Sequence, residues 1–108
     1  MLTITCDLVD LTDSDNVGWV VFTLQNFGSS VPCASVSPPA VLSSVSCKAM
    51  ANSSGVVSQA LIGNDQISPK NTNYLVSIFS NLGALISEGK YSFSGSGTVD
   101  LSTLVQIP

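Results

Sequence analysis

Over most of the chain the apolar residues recur at every second position. Leu2, Ile4, Cys6 and Leu8 alternate with Thr3, Thr5 and Asp7, which is the pattern of a strand with one buried face. Residues 10–16, DLTDSDN, are rich in Asp, Ser and Asn, whose short side chains bond their own backbone and compete with regular structure, so a hairpin loop is expected there. Residues 17–25 resume the alternation, with Val20, Phe22 and Leu24 on one face and Trp19, Val21 and Thr23 on the other. Apolar groups on both faces predict a strand central to its sheet, or one whose Trp19 side is covered.

The segment 26–40 is punctuated by Gly28, Pro32, Pro38 and Pro39, and a proline cannot donate into a ladder; it reads as a connection that crosses between sheets or lies at an edge. Residues 41–51 alternate more weakly, Asn52 to Gly55 supplies a tight turn, and 56–62 returns as the next strand, which together predict a hairpin. Residues 61–74, LIGNDQISPKNTNY, lead one strand through a surface connection into the next. Gly63, Asn64 and Asp65 tolerate left-handed or turn backbone there, and Pro69 keeps Ser68 extended. Tyr74, Val76 and Ile78 then alternate with Leu75, Ser77 and Phe79, and Ser80 to Gly83 forms a turn. Residues 84–86 resume, Glu88 and Gly89 break or bulge the run, and Tyr91 and Phe93 alternate with Ser92 and Ser94. Asp100 is placed to cap one short helical turn over 101–104. No stretch sustains a 3.6-residue apolar period. The prediction is an all-β chain, a two-layer antiparallel β-sandwich of about seven strands, with Ile4, Val20, Phe22, Leu24, Leu61, Val76, Ile78 and Phe93 inside.

The 108 residues fit a single domain, residues 1–108, large enough to bury about two-thirds of its extended-chain surface. Composition matters mainly for what it excludes. Only 9% of residues are charged against 44% hydrophobic, and His is absent, so Ser, Thr and Asn must meet solvent, as in β-rich surface or particle proteins. The net charge of -4 sets seven carboxylates against Lys48, Lys70 and Lys90, which are scattered. Phosphate neutralisation needs a basic patch, so no nucleic-acid partner is expected. No basic segment precedes an apolar run near residue 1, and no run approaches the roughly 20 apolar residues of a membrane span, so neither a cleavable signal nor a membrane anchor is expected. Cys6, Cys33 and Cys47 are odd in number and lack C-x-x-C spacing; the expectation is three thiols, assembled in a reducing cytoplasm.

Without His, neither a Ser-His-Asp nor a Cys-His constellation can form, and catalysis would fall to carboxylates or a lysine. No spacing brings a particular pair of Asp7, Asp65, Glu88 and Asp100 together, so no enzyme is expected. Asp13, Asp15 and Gly18 match positions of a calcium loop, but Val17 and Leu24 occupy ligand positions, and a solvated loop tip is the better reading. Asn52-Ser53-Ser54 has the form of a glycosylation sequon and reads as a turn. No cofactor and no metal are implied.

Taken together, several motifs carry a family likeness. These are VFTLQN at 21–26, the 52–55 turn, GND-x-I-x-P-x-x-x-x-Y at 63–74 leading into a strand, and a final Gly-x-Gly followed by DLSTL. Over residues 2–104 the chain resembles a small β-sandwich domain of bacteriophage structural proteins, found at the N-termini of tail fibres and as free-standing virion components. The first turn departs from that family's pattern, in which a Gly-Pro type turn follows Asp; here it is Asp13-Ser14-Asp15-Asn16. The resemblance implies an immunoglobulin-like or prealbumin-like sandwich. It also implies a structural virion protein, assembled in the host cytoplasm, that decorates or cements the capsid or links tail and fibre components. The partners so implied are other virion proteins, contacted many times over by a homo-oligomer or symmetric array. Edge strands and the loops 26–40 and 62–73 are the expected docking surfaces, with Val36, Asn64, Asp65, Ile67 and Pro69 as partner-binding residues. The rival reading is a receptor- or carbohydrate-binding module of a tail fibre, in which exposed Trp19 and Tyr91 stack on a sugar.

Overall fold

The computed structural model describes residues 2–9, 11–12, 17–26, 28, 32–34, 40–42, 44–68, 71–104 and 106–107. The period-2 segments form the strands of two sheets. One has the order β10-β1-β6, built from β1 (Leu2–Asp7), β6 (Val56–Leu61) and β10 (Gly97–Asp100). The other has the order β5-β2-β8-β9, built from β2 (Trp19–Gln25), β5 (Ser46–Met50), β8 (Asn73–Phe79) and β9 (Leu85–Tyr91). Three two-residue strands, β3 (Cys33–Ala34), β4 (Ala40–Val41) and β7 (Ile67–Ser68), pair as β4-β3-β7. Among the described residues every strand pairing is antiparallel except that of β1 with β10.

The inward residues of the two sheets meet in one core. Leu2, Ile4, Val57 and Leu61 come from the first sheet, and Val20, Phe22, Leu24, Ala49, Tyr74 and Val76 from the second. Phe93 enters from the connection after β9 and Ile67 from β7. The rings of Tyr74, Tyr91 and Phe22 lie 5.4, 6.2 and 6.4 Å from that of Phe93, an aromatic cluster that adds to the about 1.5–3 kcal/mol gained by burying each large apolar side chain. Of the eight predicted core residues only Ile78 is not among the buried ones, and it packs against the core partly buried. Asp100 caps the turn at 101–103 as expected: its carboxylate accepts from the Ser102 amide at 3.0 Å.

Strand connectivity differs from expectation at three places. β1 and β2 lie in different sheets, so the two strands do not pair as the expected hairpin. The 52–55 turn likewise joins β5 in one sheet to β6 in the other. The expected turn chemistry is present: Asn52 Oδ1 accepts from the amides of Ser54 (2.9 Å) and Val56 (3.0 Å), and Gly55 sits at φ 76. A turn of this kind serves a sheet-to-sheet corner as well as a hairpin. Third, β9 runs through Glu88 and Gly89 without a break, and the irregularity falls at Ile86, where Phe79 pairs with Leu85 and Ile78 with Ser87. Gly89 lies against the side chain of Gln106, which a Cβ there would displace. Residues 106–107 run along this edge, with the Ile107 amide donating to Lys90 O at 2.7 Å.

Candidate functional site

The 63–74 connection is built into the core, which changes its role. Asn64 is buried, its Oδ1 accepts from the Phe93 amide at 2.8 Å, its own amide donates to Phe93 O at 2.6 Å, and its Nδ2 donates to Thr72 Oγ1 at 3.1 Å. Asp65 is exposed, and its Oδ2 accepts from the Gly95 amide at 3.3 Å. These bonds pin the segment that carries Phe93 into the core. Gly63 serves close approach and not left-handed backbone: its φ is -65, and a Cβ would stand 2.7 Å from Asp65 Oδ1 and 3.1 Å from Phe93 O. Ile67 is wholly buried.

The expectation of Ile67 as a surface docking residue is therefore overturned, because β7 pairs with β3 and turns that side chain inward. Asn64 is corrected in the same way, since its side chain is spent on internal hydrogen bonds. Asp65 alone of the described candidates faces solvent. Val36 and Pro69 lie outside the described residues, as do Asp10, Asp13 and Asp15 of the acidic loop.

A broader surface stands on the outer face of the four-stranded sheet. Register places Met50, Trp19, Phe79 and Leu85 side by side across β5, β2, β8 and β9. Trp19 and Phe79 stack at 5.6 Å with 15° between their planes, and Lys48 Nζ lies 4.4 Å from the Trp19 ring. Met50 and Leu85 are 56% and 53% exposed, and Leu82 in the adjoining turn is 91% exposed. In the next row Ser77 is buried and its hydroxyl donates to Glu88 Oε2 at 3.0 Å. Tyr91 is on the opposite, inward face, in register with Tyr74 and Leu24. Trp19 and Tyr91 thus do not form one shared stacking platform.

Between β5 and β6 opens a cavity of about 220 Å³, lined by Phe22, Leu24, Leu42, Cys47, Leu61 and Ile62 among others. It is largely apolar. Tyr74 also lines it, and its hydroxyl is already committed, donating to Ile62 O at 2.7 Å. Burial, and secondarily the nearby Cys47 thiol, push the Tyr74 pKa up to about 12. Cys6 is buried, and burial, then Asp100 and Asp7, raise its pKa, which keeps it a neutral, inert thiol. Asp65, Glu88 and Asp100 stand on separate elements and each makes a local contact: Asp65 with Gly95, Glu88 with Ser77 and Asp100 with Ser102.

No protein-family model matches the chain, and no curated protein matches it in sequence. The outer-face row was only partly legible beforehand. Its signal is the pair of strands, β2 and β8, that are apolar on both faces. Only pairing them shows that Trp19 and Phe79 adjoin.

Proposed function

We propose that the chain is a non-catalytic structural subunit of a bacteriophage virion, one that decorates or cements the capsid or links tail and fibre components through repeated protein–protein contacts. The observation that carries the docking part of this reading is the outer face of the four-stranded sheet, where Met50, Trp19, Phe79 and Leu85 form an apolar row at the surface. A row of that kind on a domain with few charges suits contact with another protein, since an apolar patch rimmed by polar residues marks an interaction surface. The virion assignment is supported by the motif resemblance and by the sandwich architecture it implies. Docking shifts from the 62–73 loop, whose Asn64 and Ile67 are internal, to the sheet face.

Weak contacts of this size become effective when symmetry repeats them, because each further contact is intramolecular once the first has formed. Particles purified from cells in which the chain is made alongside its virion genes test the reading by quantitative mass spectrometry and cryo-electron microscopy. The expected result is a fixed copy number set by the particle's symmetry, with density over the Trp19 face. Absence of the chain from intact particles overturns the proposal.

A further inference from the structure

Strand register arranges the outer face of the four-stranded sheet in rows of four. The central row is Lys48, Val21, Ser77 and Glu88, flanked on one side by Met50, Trp19, Phe79 and Leu85 and on the other by Ser46, Thr23, Leu75 and Lys90. The central row carries opposite charges at its two ends, on the edge strands β5 and β9, and Lys48 and Glu88 are both exposed. The row beside it is apolar from end to end.

We propose that this face is self-complementary and pairs two copies of the chain about a two-fold axis that lies in the interface, parallel to the strands and between β2 and β8. Such an axis exchanges the left and right ends of each row. Lys48 of one copy then faces Glu88 of the partner subunit, and the same contact occurs a second time by symmetry. Met50 meets Leu85, Trp19 meets Phe79, and Lys90 meets the uncharged Ser46. An axis perpendicular to the strands would instead set Lys48 against Lys48 and Glu88 against Glu88, a like-charge arrangement that disfavours it. The charges thus select the axis as well as the occupant. The strands of the two facing sheets lie nearly along one line, β2 of one copy over the antiparallel β8 of the other, offset by the roughly 30° crossing of aligned sheet packing.

The pairing rests on the structural role proposed above and names a second copy of the chain as the partner of that face. Four strands about 4.8 Å apart and six residues at about 3.3 Å each give a flat footprint of about 400 Å² per copy. The two copies together bury about 800 Å², below the roughly 1,000 Å² of a stable specific interface, so the pairing is weak and transient, a contact that gains strength only when it is repeated.

Sedimentation velocity of the full chain under reducing conditions, over protein concentrations from about 5 to 300 µM, tests this. Wild type is expected to show a concentration-dependent monomer–dimer equilibrium. Lys48→Glu and Glu88→Lys, each checked for an unchanged circular dichroism spectrum and melting temperature, should each dimerise at least about tenfold more weakly. An equimolar mixture of the two should regain wild-type association, because in the mixed dimer a lysine meets a carboxylate at both contacts. A wild type that stays monomeric throughout, single variants that dimerise as well as wild type, or a mixture that remains monomeric would each overturn the pairing. A monomeric wild type that still enters particles overturns the pairing and spares the virion role. A dimer whose chain never enters particles does the reverse.

Discussion

Single residues here do more internal work than their surface-loop setting suggests. Asn64 satisfies the backbone amide of Phe93 and donates to Thr72 from a buried position. Asn64→Ala leaves those partners buried without a bond and should cost about 2–3 kcal/mol in urea unfolding. Ile67→Lys would place an ammonium at a wholly buried site and should prevent folding, seen as loss of the cooperative transition. Tyr74 links packing to pH. An unfolded tyrosine ionises near pH 10, whereas the folded one holds its proton to about 12. Its contribution is thus complete below about pH 10 and is lost as pH rises from there through about 12. Tyr74→Phe removes the hydrogen bond to Ile62 O and should cost about 1 kcal/mol at pH 7. The variant should also lose less stability than wild type between pH 9 and pH 11, a difference that urea titrations at the two pH values read directly.

At the scale of elements, alternation told which side chains point inward but not which strands are neighbours. Ile4, Val20, Phe22 and Val76 were legible as core because period 2 is a property of any strand. That β2 lies between β5 and β8, and that β10 lies parallel beside β1, was not legible, since those partners are far apart in sequence. The Asn52 turn shows why: its hydrogen bonds fix a local reversal and say nothing about whether the next strand stays in the same sheet. Gly63 and Gly89 were visible as glycines, but the close approach each permits comes from Phe93 and Gln106, which only the fold brings near. Truncating Phe22, which lies between the sheets, to Ala should cost about 3–5 kcal/mol by thermal or urea unfolding. Asn52→Ala removes two accepting contacts at an exposed corner and should cost less, about 1–2 kcal/mol. An Asn52 variant as damaging as the Phe22 variant would mean that the corner, and not the core, holds the two sheets together.

For the molecule as a whole, the central claim is that a sandwich with few charges meets its partners through the outer face of the four-stranded sheet. Met50 and Leu85 are the residues to change, because both are more than half exposed and neither belongs to the buried core. Ser58, exposed on the other sheet, is the control. The direct measurement is the copy number of each variant in purified particles when it is the only form supplied. Met50→Lys/Leu85→Lys should keep the wild-type melting temperature yet fall at least about tenfold in incorporation, while Ser58→Lys is incorporated like wild type. A folded Met50→Lys/Leu85→Lys variant that enters particles at the wild-type copy number would contradict the account.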